Sequence, residues 1–215
     1  ARSRMTKEVN AVIDALFNEG ANEVVVNDSH AGMDNILIEE FDGRATLISG
    51  SPKPYSMMEG IDPTYDAVFF VGYHGKPGTV NSVMDHTYSS STVFEARING
   101  TPLGEAGING RLAGYYGVPV AFLTGDQNAV MCAEKELHDL TGVVVKEAIG
   151  RTSARLFPFP KVVERINNGV KQAVEKIERL KPTIEEGEIN LEVDFNKSSM
   201  AEMAMLMPGT ERKSG

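Results

Sequence analysis

Residues 23–32 read EVVVNDSHAG. Val24, Val25 and Val26 build toward a buried strand, and Asn27, Asp28, Ser29 and His30 stand where the hydrophobic run stops. Two readings of that switch are open at this point. Strands end in turns, and turns favour Asn, Asp and Ser because their side chains bond nearby backbone. Alternatively, His30 hangs over the carboxyl edge of a parallel sheet, where α/β proteins place their ligands. A second stretch repeats the pattern. AVFFVGYHG, residues 67–75, is the most hydrophobic strand of the chain and also ends at a histidine, His74. In a parallel sheet such ends share one edge, so the two imidazoles could converge despite their separation in sequence.

The segments around these two strands set the fold class. Met5, Val9, Val12, Ile13, Leu16 and Phe17 recur at helical spacing, and Gly20 stops that helix. A short strand, residues 45–48, leads into the Pro/Gly/Ser-rich loop SGSPKPYSMMEG. Residues 92–98 followed by Asn99-Gly100 predict an antiparallel hairpin, since Asn-Gly is a strong two-residue turn. Beyond it come the small-residue helix EAGINGRLAGYYG, the strand VPVAFLTG, a helix over 126–138 and the strand GVVVKEA. A long amphipathic helix over 158–180 carries Val162, Val163, Ile166, Val170, Val174 and Ile177 on its inner face. Helices alternating with apolar strands give an α/β fold, a layered α/β/α arrangement with a mostly parallel central sheet and a small antiparallel excursion. Composition shifts near Pro182, and INLEVDF alternates like a half-exposed strand. The expected division is therefore an α/β domain over 1–181 and an extension over 182–215 with a second-sheet strand.

Composition removes several classes of function. The chain has 215 residues, 41% hydrophobic and 24% charged, which is the make-up of a soluble globular protein. Its net charge of −9, with no basic stripe or zinc-finger spacing, argues against nucleic acid as a partner. The longest apolar run, residues 67–71, is far too short to span a membrane. The single cysteine, Cys132, excludes an intrachain disulfide framework and fits a reducing cytoplasm; it reads as a buried structural thiol. No charged-then-apolar leader opens the sequence, so no signal peptide is expected. Ala1 falls directly inside a helical pattern, and a segment preceding it is expected.

Glu105 opens the helix after the hairpin, where the helix dipole keeps a carboxylate ionised. With His30 and His74 it makes a plausible zinc ligand set, two imidazoles and a carboxylate. Each member also has a plain structural reading: Glu105 as a solvated dipole partner, and His74 as a loop residue between Gly72 and Gly75. His86, in SVMDHTY, can reach the same edge, and an unliganded imidazole suits general acid or base work. His138, near a helix C-terminus, reads as structural. GKPGT lacks the full phosphate-loop spacing, and Asp126 either orients a ligand or caps a helix.

VNDSH, LISG, GYHG, VMDH, LGEAGIN and LMPGTE, in that order and spacing, resemble the zinc-dependent D-aminopeptidase family of bacteria over essentially the whole chain. The resemblance implies that His30, His74 and Glu105 ligate zinc and that His86 is the catalytic histidine, as nucleophile or as acid/base. It further implies two neighbouring zinc ions per subunit in the complete protein, a ring-like homo-oligomer that is a decamer, and short peptides with N-terminal D-residues as substrates. One departure stands out. The family opens with a strand bearing Ser-x-Asp-x-Glu-Gly, whose acidic residues also bind metal, and it continues beyond the MPGTE motif; neither part is in this chain, so an incomplete version of the enzyme is expected. Two alternatives remain at this level: a dinuclear metallophosphoesterase, which also hangs His and Asp ligands from strand ends, and a degenerate member acting as a binding or scaffold subunit.

Overall fold

The computed structural model describes residues 1–214. Along the chain run α1 (Arg2–Asn18), β1 (Val25–Asn27), β2 (Thr46–Ile48), β3 (Val68–Phe70), β4 (Val93–Ile98), β5 (Thr101–Leu103) and α2 (Glu105–Tyr115). They are followed by β6 (Val120–Asp126), α3 (Gln127–Glu136), β7 (Thr141–Gly150), β8 (Ser153–Leu156), α4 (Phe159–Val174), β9 (Leu191–Phe195) and α5 (Ser198–Ala204).

Strand β6 is buried at every residue, which is the mark of a parallel strand covered on both faces. It lies between β3 and β7, parallel to both, and β8 closes the far edge antiparallel to β7. Successive side chains point to opposite faces, so each face has its own core. On one side Phe122, Val143 and Val145 meet Val12 and Leu16 of α1 and Val162, Ile166 and Val170 of α4. On the other, Val120, Leu123 and Phe70 meet Ala113 of α2 and Val130 and Ala133 of α3. The result is the expected α/β/α layering. α4 lies unusually close to the sheet at Gly169, where an added Cβ would overlap the Val143 side chain and come within 3.0 Å of the Phe122 ring.

The parallel strands divide between two sheets. β1 pairs only with β2, in parallel, and β3 exchanges no ladder with β1. α1 bridges the division by splitting its buried stripe. Val12 and Leu16 enter the main core, while Val9 and Ile13 pack with Ile36, Val24, Val26 and Val71. The helix ends where Gly20 takes φ +97°, with Ala21 N–H bonded to Leu16 O and Gly20 N–H to Phe17 O, a Schellman cap.

The hairpin forms as the sequence predicts. Asn99 and Gly100 adopt φ +50° and +77°, the double left-handed pair of a type I′ turn. Its β4 strand also takes β9 from residues 182–215 as an antiparallel neighbour, giving a three-stranded sheet in the order β5-β4-β9. The helix predicted over 158–180 stops at Val174 and resumes only as a single 3₁₀ turn, Ile177–Arg179.

The main core makes a direct prediction. Ile166 is fully buried between α4 and β6. Ile166→Ala should cost about 2–5 kcal/mol, as buried large-to-alanine changes do. Urea unfolding measures this, and a loss below about 1 kcal/mol would place the core elsewhere.

Candidate active site

The site begins where β3 runs out. Gly72 turns the backbone at φ +79°, its N–H held by Thr124 Oγ1 at 2.7 Å, and Tyr73 N–H still bonds to Thr124 O at 2.9 Å. The sheet edge is thereby extended to His74. Tyr73 is the wedge below it: its ring stacks on Phe70, and its hydroxyl accepts a 3.0 Å bond from the buried Asn109 side chain. Burial pushes the Tyr73 hydroxyl pKa far above its ordinary value.

Glu105 arrives from the other sheet. β5 ends at Leu103, Gly104 is the N-cap, and Glu105 is the first residue of α2, where its charge suits the dipole. Its Oε2 lies 3.3 Å from His74 Nε2, its Oε1 lies 3.7 Å from His86 Nε2, and Oε1 also accepts Tyr88 N–H at 2.7 Å. The two imidazoles stack, with centroids 4.0 Å apart and planes 17° from parallel. Among the described residues, His74, His86 and Glu105 form a cluster whose ligating atoms lie within 4.8 Å of one another.

Burial alone would favour neutral His74 and protonated Glu105. For His74, the hydrogen bond and charge of Glu105 outweigh burial and raise its pKa. For Glu105, the His74 hydrogen bond and charge, the Tyr88 amide and His86 together outweigh burial and lower it. Each imidazole turns Nδ1 toward a backbone carbonyl, His74 to Gly75 O at 3.1 Å and His86 to Met84 O. With each Nδ1 turned to a carbonyl, both Nε2 atoms face the carboxylate, and a cation entering there would replace the proton that His74 shares with Glu105. Two imidazole lone pairs and one carboxylate form a donor set suited to a cation, and carbonyl-anchored Nδ1–H groups are the usual support of metal-binding histidines.

Of the residues singled out in the sequence, the structure thus brings His74, His86 and Glu105 together. His30 does not join them. It is exposed in the turn after β1, beside the buried Asp28, which accepts the Ile36 N–H at 2.7 Å. Asp126 caps α3, with Oδ1 accepting Asn128 N–H at 2.9 Å and Ala129 N–H at 3.0 Å. Tyr88 was not legible as a site residue, because it contributes only a backbone amide.

The fold is that of a peptidase. A family model described as D-aminopeptidase, peptidase family M55, matches residues 1–215, and the chain belongs to that family. It is 39% identical over 214 residues to a D-aminopeptidase of Bacillus subtilis (strain 168), covering 98% of this chain and 76% of that protein. The solved structure of the Zn-dependent D-aminopeptidase DppA from Bacillus subtilis, a self-compartmentalizing protease, matches with a TM-score of 0.96 and 38% identity. That match covers 100% of this chain and 77% of that one.

Behind the site, Glu136 at the end of α3 presents Oε1 with no hydrogen-bond partner, although Lys76 Nζ lies 3.5 Å away. Burial outweighs that cation and raises the Glu136 pKa. A carboxyl raised in this way favours the folded state below the unfolded pKa, about 4.3, and that contribution is lost as pH climbs through the folded value. Glu136→Gln abolishes the titration, so its stability relative to the parent should rise between pH 4 and pH 7. Denaturant midpoints across that range check it, and a flat difference would mean that Lys76 fully compensates the charge.

Proposed function

We propose that this chain is a zinc-dependent aminopeptidase that releases N-terminal D-residues from short peptides. The observation that carries the reading is the convergence of His74 Nε2 and His86 Nε2 on Glu105. Support comes from the family and from the likeness to a Zn-dependent D-aminopeptidase. Zinc takes nitrogen and oxygen donors, about four including water, and His74 and Glu105 offer one of each.

His74 and Glu105 are assigned as zinc ligands. His30 is assigned to the second ion of a co-catalytic pair, supported by its place at the carboxyl end of β1 and by the VNDSH resemblance. Zinc would supply Lewis-acid polarisation of the scissile carbonyl and acidify water near neutral pH. The protein's own part is orientation and proton handling. Glu105, ionised at the head of α2, fixes both imidazoles, and Gly75 O fixes the His74 ring. His86, anchored at Nδ1, takes up or gives a proton at Nε2 and delivers it to the departing amine. Family membership favours peptide over phosphoester hydrolysis, and a site with its donors gathered and oriented favours an enzyme over a scaffold subunit.

The preference for D-residues, the cytoplasmic location and a closed homo-oligomer, a decamer, belong to the same proposal. Assembly is supported by the self-compartmentalizing relative and by apolar side chains left in solvent: Phe94 on β4, and Met203, Leu206 and Met207 on and just beyond α5. The reducing compartment is supported by the single cysteine. No described helix is long and apolar enough to cross a membrane.

Two variants divide the roles. His86→Ala should keep most of the bound zinc and lose turnover of D-alanyl amides by about 10² or more, the usual loss for a positioned acid/base group. His74→Ala should lose zinc and turnover together, since a ligand is removed. Metal analysis beside the amidase assay decides; zinc loss in His86→Ala moves that residue into the ligand set. Turnover of nitrophenyl phosphate without turnover of D-alanyl substrates would overturn the peptidase reading. Light scattering of the native protein should give a closed oligomer, and a monomer of about 23 kDa, the chain mass, would overturn the assembly.

A further inference from the structure

The two site histidines share one support, the backbone of Gly75. Its carbonyl accepts from the His74 ring at 3.1 Å and from the His86 backbone N–H at 3.2 Å. Its N–H donates to Ser82 Oγ at 3.0 Å, and the Ser82 hydroxyl donates to Asp126 Oδ2, also at 3.0 Å. Ser82 is 1% exposed and Asp126 0%, so the relay is sealed from water. The fit is tight: a Cβ on residue 75 would stand 2.6 Å from Ser82 Oγ and 2.9 Å from Thr79 Cβ.

The oxygens of Asp126 have separate duties. Oδ1 takes the two amides of α3. Oδ2 takes the Ser82 hydroxyl and the Val83 N–H at 2.9 Å. A helix cap requires one acceptor oxygen, and Ser, Thr or Asn would provide it. Only a carboxylate presents acceptors on both sides; an Asn in the cap orientation would turn an NH₂ donor against the Val83 N–H donor. Capping therefore accounts for half of this side chain, and the loop that carries His86 accounts for the rest.

That loop has reason to be held. Asn81, Met84 and Tyr88 all take positive φ, 52°, 53° and 57°, which side-chain-bearing residues adopt only where surroundings fix them. Met84 provides the carbonyl facing His86 Nδ1, and Tyr88 provides the amide on Glu105. The Ser82–Val83 clamp lies between the first and second of these strained positions.

We infer that Asp126 is a positioning residue for the active site, acting through Ser82 and the Gly75 backbone on the orientation of both His74 and His86. The inference rests on the zinc-peptidase reading for its consequence, and on the hydrogen-bond relay for its substance. Ser82→Ala is the discriminating variant, because it removes the bridge and leaves the α3 cap in place. Asp126→Asn is the companion, since it can retain one acceptor toward the helix.

Both are compared with the native enzyme in zinc affinity by competition with a chromophoric chelator, in the visible spectrum of the cobalt-loaded protein, in kcat and KM, and in Tm. The expected result is zinc binding about 10- to 100-fold weaker, the usual size of a lost outer-sphere support. It comes with a shifted cobalt spectrum and with kcat reduced while KM changes by less than about twofold. A lower Tm with wild-type zinc affinity, cobalt spectrum and kcat would make Asp126 a helix cap and nothing more, and would overturn the inference. Should Ser82→Ala fail to fold, Asp126→Asn is judged by the same measurements. If the native protein hydrolyses no D-aminoacyl substrate, the functional reading fails, while affinity and spectrum still decide the positioning.

Discussion

The whole arrangement depends on β6 having no exposed residue. A strand buried from Val120 to Asp126 must be covered on both faces, and that requirement dictates helices above and below the sheet. It also orients the site. Parallel neighbours on either side bring β3 and β6 to the same carboxyl edge, so the chain leaving β3 must pass over the start of α3. His74 follows the end of β3 over that edge, and Asp126 is the last residue of β6.

The sequence was most legible where periodicity and turn chemistry agreed. The α1 stripe ending at Gly20, the Asn99-Gly100 turn and the apolar run before His74 each carry their structure locally. The far end of α4 is different. Val174 and Ile177 continue the helical pattern, yet they are only half-buried, and the pattern alone cannot tell where packing ceases to support the helix. β8 is four residues long and mostly exposed, so it has no hydrophobic signature; it exists because β7 offers it an edge. The split of the parallel strands into two sheets is equally silent, because ladder partners are a tertiary property.

The candidate site shows the same boundary. His74, His86 and Glu105 are chemically conspicuous residues at element ends, and the structure gathers them. His30 shares the strand-end signature of His74 but stands outside the three-residue cluster, so a polar residue after a strand marks an edge without specifying its neighbours. The supports were invisible for a different reason. Gly75, Tyr88 and Met84 act through backbone atoms, and Ser82 through one hydroxyl among many; no residue-type pattern distinguishes such roles. The stacked imidazoles belong to the same category, since their meeting beside one carboxylate is a tertiary property.

The three clustered residues do not ride on one body of structure. His74 hangs from the parallel sheet, whereas Glu105 follows β5 of the antiparallel sheet after a single glycine. That second sheet is held together in part by β9, whose Glu192 and Asp194 pair with Arg97 on β4 more than ninety positions earlier in the chain. The cluster therefore lies at a seam between two sheets, and its width depends on how the sheets pack against each other. β9 is thus tied, through β4 and β5, to the sheet from which Glu105 departs, and the outer sheet is part of the frame of the site it borders.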